Sequence, residues 1–284
     1  MRAIFFTILF FASFCNYSQI NTPRTSPASK LNQVVGLTEI EVQYSRPSMR
    51  GRTIYGGVVP YGKIWRTGAD NSTKISFSTD VVINEKLIKS GMYSIFSIPE
   101  KDSWKIMLYS DTDVWGVPKN WDEDKIIFQS DFKTIDLTGK SFFETFTIGF
   151  SNLTNNDVDM TFSWDDTTVF MKISVPTRKM VEQSIIDVIN ESPEPSDYYS
   201  AAVYYRQENI KLDVALEWIN KAIEMYDDPR FYHLRQQSLI MAANSKFSDA
   251  IKTAKKSLDL SIKADNQDYI KMNKESILEW SKKL

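Results

Sequence analysis

The chain has 284 residues, 42% of them hydrophobic and 25% charged, with a net charge of −2 and a pI near 5.7. That composition suits a globular protein of one large or two modest domains, and the near-neutral charge gives no electrostatic footprint for nucleic acid or an anionic membrane. With one cysteine, Cys15, and one histidine, His233, it excludes disulfides, multi-histidine metal centres and a serine–histidine–acid triad in the N-terminal half.

Residues 1–18 carry one positive charge, Arg2, then an apolar run from Ala3 to Phe14, then small and polar residues. The run is too short to span a membrane and has a charged front, which predicts a signal peptide cut after Ser18 and a secreted or periplasmic protein. A lipoprotein anchor at Cys15 is the rival reading, disfavoured by the bulky Phe14 before it. No other run approaches the length of a membrane span, so none is expected after cleavage. Residues 19–30 are polar, contain Pro23 and Pro27, and read as a tether.

From residue 31 the period becomes two. In Thr38–Tyr44, Ile40, Val42 and Tyr44 alternate with Glu39, Glu41 and Gln43, as a half-buried strand requires. Between Tyr44 and Asn71 lies a stretch with Arg46, Arg50, Arg52, Lys63 and Arg66, five glycines, two prolines, and the aromatics Tyr44, Tyr55, Tyr61 and Trp65. It is too rich in turn formers for a helix or central strand and too aromatic for a disordered linker, so it predicts a long ordered loop. Strand patterns resume at Lys74–Thr79 and recur to Val175, separated by turns such as Asn84-Glu85 and Ser90-Gly91. About nine strands without helical periodicity between them predict an all-β antiparallel sandwich or jelly roll over residues 31–176.

Near Pro176 the apolar spacing changes to three and four, which predicts helices over residues 177–284. Ser192–Asp197 breaks the first helix and supplies a proline and capping residues for the next. Leu212–Glu224 matches Phe247–Asp259 at an offset of 35 positions, pairing Ala215 with Ala250, Leu216 with Ile251 and Ala222 with Ser257. With Tyr199, Ala202 and Tyr205 before it, the segment from about Pro195 to Leu260 resembles the tetratricopeptide repeat, although the usual glycine of the first helix is absent. Tyr269, Met272, Ser276 and Trp280 on one side of the last segment fit a capping helix. The expected whole is an all-β domain followed by a small all-α helical-repeat domain.

The order YSRP (residues 44–47), GRTIYGGVVPYGKIWRTGAD (51–70), KISFSTDV (74–81) and LIKSGMYSIFSIP (87–99) resembles a family of secreted bacterial envelope proteins described only as a domain of unknown function. The resemblance runs from about Pro23 to Val175. It implies an all-β fold and an envelope compartment, and no activity. The chain departs from the family pattern at Asp70, where asparagine is usual, and at Ser90, where alanine is more common.

Arginine's planar fork suits carboxylate, phosphate or sulfate, and aromatic faces stack on guanidinium or sugar. Arg46, Arg52, Tyr55, Tyr61, Lys63, Trp65, Arg66 and Asp70 are therefore the candidate residues for an anionic, glycan or peptide ligand. The competing structural reading has these arginines bonding loop carbonyls and pairing with Asp111, Asp113, Asp122, Glu123 and Asp124 of the second long loop. Asp111 and Asp113 alternate as in oxygen-rich calcium loops, but the glycine and terminal glutamate of such a loop are missing. Many acids are present and none is singled out as a glycosidase pair. His233 reads as a helix-surface or packing residue rather than a catalyst, Trp104 and Trp164 as core, and Trp115 and Trp121 as candidates for exposure. Neither a metal nor a cofactor is expected. The function expected is a non-enzymatic binding protein whose helical repeats dock a protein partner; the alternative is an envelope hydrolase using arginine, lysine and carboxylates without histidine.

Overall fold

The computed structural model describes residues 22–284, so the expected signal peptide and Cys15 lie outside the described residues. Two compact units divide between Pro176 and Thr177.

The first unit holds eleven strands: β1 (Ala28–Val35), β2 (Thr38–Ser45), β3 (Thr73–Phe77), β4 (Val81–Ile83), β5 (Lys86–Ile88), β6 (Gly91–Pro99), β7 (Ser103–Tyr109), β8 (Ile126–Asp136), β9 (Phe143–Ser151), β10 (Asp157–Asp165) and β11 (Thr167–Ser174). All pair antiparallel in the order β1-β2-β3-β6-β7-β8-β11-β10-β9, and the β4–β5 hairpin attaches through β4 to β11. The chain just after β2 reaches the far edge of this sheet, where the Phe146 N–H donates to Pro47 O at 2.9 Å and the Met49 N–H to Glu144 O at 2.8 Å. The sheet thereby nearly closes on itself, which removes most of its exposed edge.

Alternation decides which side faces in. Ile40, Val42, Ile75, Phe77, Phe146 and Ile148 are buried in the main core, while Glu39, Glu41 and Gln43 of β2 face away. Strand β6 departs from simple alternation, since Tyr93 through Ser97 are all buried. Its outer face carries a second, smaller core, in which Phe96, Met107 and Tyr109 pack against Ile64, Val114 and Trp121 of the two long loops. Those loops are thus a lid of fixed structure on β6 and β7, a role their turn-rich composition alone does not reveal.

Three expectations need correction. Ala28–Lys30 opens β1 rather than ending a tether, and its residues pair with Ser45, Tyr44 and Gln43. Short β5 was not anticipated, because three residues carry no readable period. Trp121 is not exposed: its ring stacks on Tyr109 at 4.6 Å and meets Phe96 edge-on at 5.1 Å.

The second unit holds six helices: α1 (Thr177–Ile189), α2 (Pro195–Gln207), α3 (Leu212–Met225), α4 (Phe231–Ala243), α5 (Phe247–Lys263) and α6 (Gln267–Ser281). Pro195 opens α2, and the Asp197 side chain accepts from the Glu194 N–H at 2.8 Å, closing a capping box. Consecutive helices pack on one another, and α4 also touches α2 and α6. Small residues at the crossings, Ala202, Ala215, Ala222, Ala250 and Ala254, are 0% exposed and allow close approach. On α6, Met272 is 37% exposed, and Asn273 takes the inward position expected of it.

Candidate functional site

Each arginine of the long loop is bound to backbone. Arg46 Nε donates to Phe146 O at 3.1 Å, and its Nη2 to Thr147 Oγ1 at 2.7 Å. Arg50 Nη2 donates to Thr25 O at 2.9 Å. Arg52 reaches Met49 O through Nε at 2.9 Å and Ser48 O through Nη2 at 2.7 Å. Arg66 Nη1 donates to Asp70 O at 2.9 Å, with its Cζ 5.5 Å from the Trp115 ring centre. An irregular loop leaves carbonyls that no ladder satisfies, and a guanidinium carries enough donors to serve two at once. Among the described residues none of these arginines forms an ion pair; the nearest acidic loop uses Asp111 on Lys125 at 3.1 Å instead. The carbonyl half of the structural reading holds, and the pairing half does not.

The aromatics divide. Trp65 belongs to the core, stacked on Trp164 at 5.9 Å and edge-on to Phe146 at 5.1 Å, with Nε1 donating to Gly68 O at 3.0 Å. Tyr55 packs on Trp104 at 5.6 Å, and its hydroxyl is buried with no hydrogen-bond partner among the described residues. Burial first, then the carboxylates of Asp165 and Asp166, push its pKa well above the phenol range. Tyr61 is 36% exposed and lies over Gly56, where an added Cβ would sit 3.1 Å from its ring. Lys63 is exposed and forms no ion pair among the described residues. Asp70 adopts φ 59, and its carbonyl accepts from both Arg66 and the Gly116 N–H. The eight candidates thus do not converge: Arg46 and Trp65 meet at Phe146, Arg66 bonds Asp70, and Tyr55 and Tyr61 share the acidic turn of Asp165 and Asp166.

That turn was not singled out in the sequence. Asp165 has φ 57, and burial, with Asp166 and Glu144 nearby, raises its carboxyl above the usual range. Thr138 Oγ1 holds Asp166 at 2.8 Å.

Beside the end of the long loop is an open concavity of about 450 Å³ lined by Arg24, Lys30, Gln43, Asn71, Ser72 and Lys74, among others. Its charged lining is entirely positive. Lys30, Gln43 and Lys74 form one cross-strand row, set by the pairing of Lys30 with Gln43 and of Gln43 with Lys74. Lys30 pairs with Glu41 at 2.8 Å, whereas Arg24 and Lys74 form no ion pair among the described residues. Asn71 bridges in backbone to Trp115, whose side chain is 74% exposed over the Arg66 guanidinium. A second concavity, of about 510 Å³, mixes Lys86 and Lys105 with Glu123 on the outer face of β7 and β8. The cationic row was readable in principle, as polar positions at period two on successive strands; its register was not.

No curated protein and no solved structure matches the chain. A family model described as "Protein of unknown function (DUF2911)" matches residues 26–173, which is just over half of the 284 residues and spans the sheet from the start of β1 into β11. The chain belongs to the DUF2911 family of proteins of unknown function.

Proposed function

We propose that this is a non-enzymatic binding protein of the cell envelope, secreted or periplasmic, in which the β-unit takes a small anionic ligand and the helical unit docks a protein partner. The observation that carries the ligand reading is the concavity with Arg24, Lys30 and Lys74 on its wall and no acid. Such a site attracts a carboxylate, phosphate or sulfate, and Trp115, whose backbone bridges the lining residue Asn71, offers an exposed face on which a sugar ring or other flat group can lie. The loop arginines support this site indirectly, by holding the chain that carries Asn71 and Trp115 in one shape.

The docking reading draws on the repeat. The paired positions Ala215 and Ala250, and Ala222 and Ser257, are all 0% exposed, as two tetratricopeptide-like hairpins of one design require. The envelope assignment draws on the leader-like residues 1–18, and no described helix is long and apolar enough to cross a membrane.

The test of the ligand reading is calorimetric titration with sugar phosphates, uronic acids and dicarboxylates. Lys74→Glu combined with Arg24→Glu is expected to weaken the tightest of these at least tenfold, about 1.4 kcal/mol, with an unchanged unfolding midpoint. If no member of the panel binds the unaltered protein, the ligand reading fails.

A further inference from the structure

The two ends of the sheet are finished differently. At β9 the outward backbone is taken: the Met49 N–H donates to Glu144 O, the Phe146 N–H to Pro47 O, and the Ile148 N–H to the Tyr44 hydroxyl at 2.9 Å. At β1 no strand among the described residues pairs with the edge turned away from β2. Its register with β2 runs unshifted over all eight residues, without a bulge or an internal proline, so two devices that usually protect an edge strand are missing.

The ladder fixes which backbone groups face out. The Arg46 N–H donates to Pro27 O at 2.9 Å, and bonded positions alternate along an antiparallel pair, so Ser29, Leu31, Gln33 and Val35 turn their N–H and C=O toward β2. Ala28, Lys30, Asn32 and Val34 turn theirs outward. Gln33 Nε2 donates to Val34 O at 2.9 Å and caps it. Ala28, Lys30 and Asn32 hold their N–H and C=O toward the open edge.

The side chains beside that edge divide by charge. Near its start lies the concavity of about 450 Å³ with Arg24, Lys30 and Lys74 and no acid; near its end a third concavity, of about 310 Å³, has Glu39 and Glu41 and no cation. Lys30 stands opposite Gln43 and Val34 opposite Glu39, so four residues of strand, about 13 Å, separate the two signs. Because Lys30 already pairs with Glu41, Arg24 and Lys74 are the cations left to meet an outside carboxylate.

We propose that β1 pairs antiparallel with an extended segment of a partner protein that carries a basic residue four positions before an acidic one, the acid opposite Lys30 and the base opposite Val34. Directly opposite residues share a face of the sheet, which sets the acid over the cationic concavity and the base beside Glu39. Main-chain bonds to Ala28, Lys30 and Asn32 supply the affinity, and the two charges supply the register. A second copy of the chain fits less well, since β1 contains no acid and brings no anion to the concavity. This deepens the anionic-ligand reading of the β-unit and rests on it, with the carboxylate carried on a strand.

The experiment measures fluorescence anisotropy of two short capped peptides of alternating valine and threonine against the full chain, one bearing Lys-x-x-x-Glu and the other Glu-x-x-x-Lys at the same positions. Composition and charge are equal, and the first is expected to bind about tenfold tighter, because reversal exchanges two attractive pairs for two repulsive ones. Asn32→Pro removes an outward N–H without touching a bond between β1 and β2. It should weaken the first peptide about tenfold while leaving the calorimetric titration of small anions unchanged. Should that variant fail to fold, N-methylation of the peptide amides that face β1 blocks the same bonds with the protein unaltered. Equal or reversed preference between the peptides, or full affinity in Asn32→Pro or for the methylated peptide, overturns the strand pairing. Binding of sugar phosphates without binding of either peptide also overturns it and leaves the anion site standing, whereas no binding of any of them overturns both. A dimer of the free chain that Asn32→Pro splits into monomers gives the edge to a second copy and overturns the peptide assignment.

Discussion

The Nη2 of Arg46 lies 2.7 Å from Thr147 Oγ1, which fastens the chain leaving β2 to the edge strand β9. The same guanidinium donates through Nε to Phe146 O, beside the backbone bonds that nearly close the sheet. Arg46→Ala is expected to cost about 2 kcal/mol, the range for hydrogen bonds made by a charged donor, read as a fall in the urea midpoint without a change in slope. Arg46→Lys should recover less than half, because one ammonium cannot serve both acceptors from a single plane. A loss within the noise of the measurement in Arg46→Ala would show that closure does not depend on this residue.

A second prediction concerns Asp165. Its folded-state pKa is raised, by burial first and then by Asp166 and Glu144. The folded protein therefore binds the proton more readily than the unfolded chain. The cost of the ionised carboxylate is fully present above the raised value and disappears as pH falls toward the ordinary carboxylate value, about 3.9. Asp165→Asn should stabilise the protein at neutral pH and do nothing near pH 4. Asparagine tolerates the φ of 57 found there, so backbone strain does not mask the effect. Equal stability changes at both pH values would remove the electrostatic explanation.

How much of this was legible in the sequence depends on which atoms carried the message. Side-chain alternation at Ile40, Val42 and Tyr44, or at Ile75 and Phe77, states its own period, and the β-rich first half followed from it. The start of β1 is hard to read because its inward positions include the polar Ser29 and Gln33 while the apolar Ala28 and Val34 face outward, which blurs the alternation. The loop arginines were visible as residues but not as contacts. Their acceptors are carbonyls such as Met49 O and Asp70 O, and every residue type has a carbonyl. Arg235, 8% exposed and bonded to Asn273 and Ser276 of α6, escaped for the opposite reason. An arginine within a helix reads as a solvated face, and only the packing of neighbouring helices turns it inward.

His233 gives a pH prediction of opposite sense. Its ring stacks on Tyr226 at 4.1 Å and meets Tyr199 edge-on at 5.1 Å, and its Nδ1 accepts from the Arg230 N–H at 3.2 Å. Burial first, then Arg230, lower its pKa. Above the ordinary imidazole value, about 6.5, both states are neutral and the shift has no effect on stability. As pH falls from that value toward the lowered one, the unfolded chain takes up a proton that the folded protein resists, and stability falls. Thermal unfolding followed by helical circular dichroism should show a lower midpoint at pH 5 than at pH 7, and His233→Gln should flatten that difference. If the variant keeps the full slope, another group is responsible.

The two tryptophans of the second long loop provide the sharpest contrast in the molecule. Trp115 and Trp121 are six residues apart in one turn-rich segment, and nothing in the string separates them. Trp121 fills the outer core against Phe96 and Tyr109, whereas Trp115 is 74% exposed, with the Arg66 guanidinium carbon 5.5 Å from its ring centre. Trp121→Ala should cost about 3 kcal/mol, as removal of a large ring from a packed cluster does. Trp115→Ala should change stability by no more than about 0.5 kcal/mol. Urea unfolding of the two variants settles the difference. A large loss at Trp115 would mean that its ring is needed to hold the loop, and would withdraw it as a free face for ligand. Near-neutrality at Trp115 together with weaker binding of the tightest anion would tie the exposed ring to the neighbouring cationic concavity, because the substitution would then have removed contact with the ligand and left the fold as it was.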